Sequence, residues 1–271
     1  MAALSAHHLD ALDTFLIELN HRSADVILPL FRAENGLENK AAAGAAFDPV
    51  TAADRGAEAE IRRLIAAHHP QHGVIGEEYG ADRPDAEFVW VLDPIDGTRA
   101  FIAGLPLWTT LIGLRWQGQP VLGSIGQPFI GEIFIGDDRG SRLITPSAEQ
   151  ALKVRACPSL SQAVIATTDS HLFKGDEAEA WSAVRTTARL ARYGCDAYAY
   201  AMVAMGTLDL VVETGLKAWD TEAAVPVIAG AGGHFTDWRG GPVSREGRQI
   251  IIAGDQAVLD ETVARLSPAA K

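Results

Sequence analysis

Leu9, Leu12, Leu16 and Leu19 recur at helical spacing, and Val26, Ile27, Leu30 and Phe31 continue the stripe. This predicts a long N-terminal helix pair, or one helix kinked near Pro29, where proline removes a backbone donor. Periodicity lapses from Glu34 to Asp48, a stretch rich in alanine and glycine that reads as a mobile surface loop, either a connector or a lid. A second helix opens at Thr51-Ala52-Ala53-Asp54 and runs to about His69, with Ala57, Ile61, Leu64 and Ile65 on its core face. Asp54 falls on that same inward face. Its carboxylate therefore either meets an inward partner or closes a capping box at the helix start. Gly73-Val74-Ile75-Gly76 reads as a short strand ending in Glu77 and Glu78. Strands follow near 88–93, 108–116, 120–127 and 131–136 with turn residues between them, which predicts a hairpin-rich antiparallel sheet.

Between Pro146 and Pro158 the texture changes. Ala163–Ala166, Leu208–Val212, His234–Thr236 and Ile250–Ile252 read as strands, alternating with helical stretches near 176–190, 196–206, 220–230 and 254–266. The pattern predicts an α+β half over residues 1–148 and an α/β half over residues 149–271, without internal repeats.

At 271 residues the chain is long enough for a sizeable core, and 48% hydrophobic with 21% charged residues is ordinary globular composition. No apolar run approaches the ~20 residues that span a bilayer, and the first residues lack the basic flank and apolar stretch of a secretory signal. Cys157 and Cys195 form no disulfide framework and show no zinc spacing, so small buried thiols in a reducing cytoplasm are the expectation. A net charge of −12 excludes a nucleic-acid binder, because a phosphate backbone would be repelled. The same charge requires bound cations before a dianionic phosphate can be held.

Asp93-Pro94-Ile95-Asp96-Gly97-Thr98 follows the apolar run Phe88-Val89-Trp90-Val91-Leu92. A buried strand thus delivers two carboxylates into a turn stiffened by proline and released by glycine. Such a pair repels itself unless something positive lies between its members. Magnesium takes one or two carboxylates together with substrate phosphate oxygens. Acids also stand at Asp54, at Glu77-Glu78 and at Asp220 in Ala218-Trp219-Asp220. Taken singly, each has a plain reading: Asp220 as a helix N-cap, Glu77 and Glu78 as a solvated strand end, Asp93 and Asp96 as turn formers.

Together these segments resemble the inositol monophosphatase family. The resemblance is carried by the hexapeptide with Phe101, Gly76-Glu77-Glu78, Val50-Thr51-Ala52-Ala53-Asp54 and Trp219-Asp220, and spans about residues 10 to 265. It implies a layered αβαβα sandwich, two to three Mg²⁺ ions per site, a small phosphate ester as substrate, and a homodimer with neither nucleic-acid nor membrane partners. By position, Glu77, Asp93 and the Ile95 carbonyl resemble the ligands of one ion; Asp93, Asp96 and Asp220 resemble those of a second. Thr98 with Asp54 resembles the pair that orients and deprotonates the attacking water, and Glu78 resembles an outer helper. Gly97 and Thr98 stand where a short helix starts, so their N–H groups can grip phosphate. Direct hydrolysis without a phosphoenzyme is expected, since no cysteine or histidine stands in a nucleophile motif.

The alcohol half of the substrate should meet Arg192-Tyr193-Gly194-Cys195-Asp196-Ala197-Tyr198-Ala199-Tyr200-Ala201. Many inositol-type members carry small neutral residues there. Here Asp196 and the tyrosines resemble the histidinol-phosphate phosphatase branch, as do Arg99–Gly104 and Leu210–Lys217. Asp196 and Glu213 would pair with the ammonium and imidazole of histidinol. The plain alternatives are a helix cap for Asp196 and a strand-end acid for Glu213. The expected reaction is hydrolysis of L-histidinol phosphate in histidine biosynthesis. The alternatives are an inositol-1-monophosphatase, a broad sugar-phosphate or 3′-phosphonucleotide phosphatase, and, from another class, a non-catalytic metal-binding member. Trp108, Trp116 and Trp238 read as packing, and His68, His69 and His72 as groups meeting a helix dipole or solvent. His171 and His234 lack partners at metal-ligand spacing, and Lys40 reads as an exposed loop lysine.

Overall fold

A computed structural model describes residues 4–40, 49–244 and 248–271. Most of the loop read between Glu34 and Asp48, residues 41–48, lies outside the described residues. Ser5 accepts a hydrogen bond from the His8 amide and starts α1 (Ala6–Ile27), whose leucine stripe is buried. It is one helix. Pro29 lies past its end, in a single 3₁₀ turn, and does not kink it. A small ribbon follows, β1 (Glu38–Asn39) against β2 (Pro49–Val50). Thr51 then caps α2 (Ala52–His68).

Among the described residues the chain next builds a sheet from β3 (Gly73–Gly76), β4 (Gly80–Asp82), β5 (Phe88–Asp96), β6 (Thr109–Trp116), β7 (Gln119–Gln127), β8 (Glu132–Asp137), β9 (Gly140–Ile144) and β10 (Glu149–Ala151). The spatial order is β10-β9-β8-β7-β6-β5-β3-β4, antiparallel except for the parallel pair β3 and β5. The short helix α3 (Thr98–Ile102) interrupts it after β5. A second sheet contains β11 (Val164–Thr167), β12 (Leu190–Tyr193), β13 (Leu210–Leu216), β14 (His234–Thr236) and β15 (Arg248–Ala253), in the order β12-β11-β13-β15-β14. Its helices are α4 (Asp176–Thr187), α5 (Tyr198–Ala204), α6 (Ala218–Thr221), α7 (Ala224–Gly230) and α8 (Gln256–Leu266). No helix among the described residues is long and apolar enough to cross a membrane.

The layers follow from side-chain alternation along the strands. Trp90, Leu92, Ile112 and Ile135 face α1 and α2, while Leu111, Ile125 and Phe134 face the opposite way, onto α5 and α7. Ala166, Val211, Ile250 and Ile252 of the second sheet close that central layer, and Ile165, Leu210, Val212 and Ile251 face α4 and α8. The result is the layered αβαβα sandwich expected from the sequence. Each fully buried leucine or isoleucine of these cores contributes about 1.5–3 kcal/mol. The central contact is tight because β6 and β7 present glycines to it. A Cβ on Gly113 would lie 3.0 Å from the Ala223 amide nitrogen, and one on Gly123 would overlap the Ala223 carbonyl. Arg115 of β6 pairs with Glu222 at 2.5 Å in the same contact, both nearly buried. This docking carries Asp220, which belongs to the second half, to the end of β5.

Candidate metal centre and substrate cleft

Asp93 and Asp96 are three residues apart, and in a regular strand such residues point to opposite faces. β5 solves this with a bulge. Asp93 pairs with Leu111 and Asp96 with Thr109, so three steps along β5 match two along β6. The extra residue turns both carboxylates the same way. The strand therefore continues to Asp96, past the expected end at 93, and Thr110 Oγ1 donates to the freed Pro94 carbonyl at 2.8 Å. Asp220 comes from the single-turn helix α6, and ligand oxygens of Asp93, Asp96 and Asp220 all lie within 4.8 Å of one another.

Each carboxylate has one oxygen held by the protein. Asp93 Oδ1 accepts the Ile95 amide at 3.1 Å. Asp96 Oδ2 accepts the Ala197 amide at 2.7 Å and Thr109 Oγ1 at 3.3 Å. Asp220 Oδ2 accepts the Lys217 amide at 2.7 Å, so Asp220 braces the turn before α6 from inside the helix and is not its N-cap. Among the described residues the other oxygen of each has no protein donor. Burial, Glu77 and mutual repulsion push Asp93 well up. Burial, Asp196 and Asp220 do the same for Asp96, and burial pushes Asp220 up to about 7. Three converging acids with one unspent oxygen each fit a hard divalent cation, which takes oxygen ligands and removes this repulsion.

Asp54 follows the same rule, and both readings of it hold at once. Its Oδ2 accepts the Thr51 amide at 2.7 Å and Thr51 Oγ1 at 2.5 Å, closing the capping box, while Oδ1 lies 3.5 Å from Thr98 Oγ1. Burial raises its pKa. Thr98 Oγ1 also donates to the Ile95 carbonyl at 3.1 Å. Gly97 needs its lack of a side chain twice: its φ is +82°, and a Cβ there would lie 3.0 Å from Asp196 Oδ2.

Glu77 and Glu78 form the other wall, and Lys40 is not a free surface lysine. Its Nζ lies 2.6 Å from Glu77 Oε1 and 2.9 Å from Glu78 Oε1, and both acids raise its pKa. The turn itself hangs on Glu58, a fully buried acid that accepts the Glu78 amide at 2.8 Å, the Tyr79 amide at 3.2 Å and Arg62 Nε at 2.7 Å. Sequence reasoning missed Glu58. The signal was present, since Glu58 lies one helical turn after Asp54 on the same apolar face.

A cleft of about 180 Å³ joins these groups. Glu77, Asp93, Ile95, Asp96, Gly97, Thr98, Asp196, Glu213 and Asp220 line it, whereas Asp54 touches Thr98 and Glu78 adjoins Glu77 without lining it. Thr168 also lines it and was not singled out, and so does Tyr200, from the segment expected to meet the alcohol half. Asp196 does not cap α5. It takes a left-handed φ of 44°, and α5 has no side-chain cap. Instead, Asp96 captures the amide at Ala197. Burial lifts Asp196 to about 6, opposed by Arg99. Glu213 is fully buried and bound to its threonine neighbours. Its Oε2 accepts Thr167 Oγ1 at 3.1 Å, and its Oε1 accepts the Thr168 amide at 2.6 Å and Thr168 Oγ1 at 3.0 Å. Burial pushes it up to about 8. His72, expected near solvent, is buried and accepts the Trp90 indole N–H at 3.1 Å.

These features match known proteins over the full length of the fold. A model of the inositol monophosphatase family covers residues 8–271. The bifunctional phosphatase IMPL2, chloroplastic, of Arabidopsis thaliana is 44% identical over 239 residues, 88% of this chain and 67% of that protein. A histidinol-phosphatase of Chlorobaculum parvum is 33% identical over 78% of each chain. The solved structure of an inositol monophosphatase from Zymomonas mobilis superposes with a TM-score of 0.83 at 37% identity, covering 97% of this chain and 100% of that one. The chain belongs to the inositol monophosphatase family, a family of phosphatases.

Proposed function

We propose that this chain is a Mg²⁺-dependent phosphomonoesterase whose substrate is L-histidinol phosphate. The observation that carries the metal chemistry is the convergence of three carboxylates, each with one braced and one unspent oxygen, beside the Thr98–Asp54 pair. Asp93, Asp96 and Asp220, with Glu77 and the Ile95 carbonyl, would hold two to three ions. When bound, such ions neutralise phosphate charge and acidify water at the site. Thr98 Oγ1 orients the attacking water. Asp54, made more basic by burial, accepts the proton through its oxygen facing Thr98. Gly97 lets phosphate approach the main chain, and Glu78 with Lys40 steadies the Glu77 wall.

The substrate assignment rests on Asp196. It brings a carboxylate to the cleft where a cationic amine would bind, and its left-handed backbone serves no helix cap. Histidinol-phosphatases are among the relatives, which supports the reading. Inositol 1-phosphate is the second reading, favoured by the likeness to the Zymomonas mobilis enzyme. Comparing kcat/KM for the two esters decides between them, and a clear preference for the inositol ester overturns the assignment. Asp196→Asn should lower kcat/KM for L-histidinol phosphate by about tenfold, the scale of one charge-assisted hydrogen bond. Equal losses on both esters would make Asp196 a structural residue.

A further inference from the structure

The wall of the cleft opposite Gly97 is made by the first turn of α5 and the end of β13. It contains acids, but its capacity for further hydrogen bonds is unevenly spread. Glu213 has spent three of about four acceptor positions on Thr167 and Thr168. Asp96 has turned one oxygen to Ala197 and Thr109. Tyr200 is different. It is 2% exposed and lines the cleft, and its phenol feels the charges of Glu213, Asp96, Asp220 and Asp196. Among the described residues, no hydrogen bond engages its hydroxyl, which is not sealed in the core but stays open to the cleft that Tyr200 lines. A polar group kept free at the rim of a cleft is available to a donor on the ligand.

The geometry points to Tyr200 as a specificity-determining residue, whose hydroxyl oxygen accepts a hydrogen bond from an amine on the alcohol half of the substrate. The inference deepens the proposed function and rests on its placement of the alcohol half in this cleft. Tyr200 follows Asp196 by four residues across the turn into α5, and both side chains line the same cleft. The carboxylate supplies charge for an ammonium group. The phenol supplies direction, since its oxygen is fixed by a ring packed into the central core. A neutral polyol can offer Asp196 only a hydroxyl, whereas an ammonium donor brings charge to Asp196 and a hydrogen bond to Tyr200 together.

The test is Tyr200→Phe, which removes only the hydroxyl, assayed with saturating Mg²⁺ on L-histidinol phosphate and on imidazolylpropanol phosphate, its analogue without the amine. The variant should lose about tenfold in kcat/KM on the amine-bearing ester, mainly through KM, and far less on the analogue. Its thermal midpoint without substrate should stay level, because the deleted hydroxyl has no protein partner, and its Mg²⁺ activation curve should not move. Equal losses on both esters, no loss on either, or a shifted Mg²⁺ requirement would overturn the assignment. If the wild type instead prefers inositol 1-phosphate, the histidinol-phosphate reading fails by itself. Aminoethyl phosphate against hydroxyethyl phosphate then decides the role of Tyr200. A selective loss on the amine upholds the role, and a uniform effect ends it.

Discussion

Glu58 offers a sharp test of how the metal wall is held. Its carboxylate receives the Glu78 amide, the Tyr79 amide and the Arg62 guanidinium at 2.8, 3.2 and 2.7 Å. Glu58→Ala leaves the backbone donors of this turn without their acceptor. A buried unsatisfied donor costs about 1–3 kcal/mol. Tyr79 is exposed and can turn to water, so the Glu78 amide and the lost arginine pair dominate the loss. The expected destabilisation is about 2–4 kcal/mol. Because the same turn carries Glu77, the Mg²⁺ concentration for half activation should rise about tenfold or more, as for other groups that orient metal ligands.

Gly76→Ala gives the second arm of a double-mutant cycle. A Cβ at Gly76 would overlap the Glu58 carboxylate and force it off its donors. Alone, the substitution should cost about 1–3 kcal/mol, the usual range for overpacking. Once Glu58 is alanine, the obstacle is gone and Gly76→Ala should cost little. Urea unfolding of the four proteins measures the coupling, expected at about 1–3 kcal/mol. Additivity within about 0.5 kcal/mol would refute the contact. An unchanged Mg²⁺ requirement in Glu58→Ala would refute its link to the metal site.

Two further expectations concern pH. His72 is held down to about 4 by burial and by its histidine neighbours, so the fold resists its protonation. Stability is full above about 6.5, the ordinary histidine value, and falls as pH drops towards 4, by roughly 3 kcal/mol in all. His72→Gln retains an acceptor for Trp90 without a titrating ring, so the difference in unfolding free energy between it and the wild type should be level above pH 7, where only the lost stacking counts, and shift in favour of the variant below 6; a difference independent of pH throughout would refute the argument. Asp93, Asp96 and Asp220 are shifted the other way, so without metal their stabilising protons are present near pH 4 and are lost at higher pH, that of Asp220 as pH climbs through about 7. The rise in thermal midpoint on exchanging chelator for Mg²⁺ should therefore be large at pH 8 and small at pH 5, and a rise independent of pH would exclude these acids as the metal site.

Much of the architecture was legible because burial writes itself into residue pattern. The leucines of α1, the apolar run of β5 and the alternation of strand and helix after Pro158 each satisfy a core on one side. What escaped was specified by backbone pairing alone. β4 and β10 are exposed edge strands with no apolar signature. β12, mostly exposed, took the tail of a predicted helix that ends at Thr187. The acidic positions of the site could be named from the chain, but the bulge that aims Asp93 and Asp96 alike depends on the register of β6. The pairing of Lys40 and the place of Thr168 escaped for a related reason. A lysine in a polar loop and a threonine past a strand end acquire meaning only from distant partners.

The acidic cluster proposed to hold metal is divided between the two sheets in a way that makes it depend on their docking. β5 supplies Asp93 and Asp96, while Asp220 and the amide that braces Asp96 come from the second half. Without docking, the strand pair β3 and β5 would offer a cation Glu77, Asp93 and Asp96 but not Asp220. The Gly113–Ala223 contact and the Arg115–Glu222 pair set the distance between the two halves, and Glu222 lies only two residues past Asp220. A cation held by Asp220 would therefore favour the docked arrangement by the free energy that this one ligand adds. The same turn into α5 that braces Asp96 through Ala197 also bears Asp196 and leads to Tyr200, so the segment that would read the alcohol is fastened directly to the acid that would hold the metal.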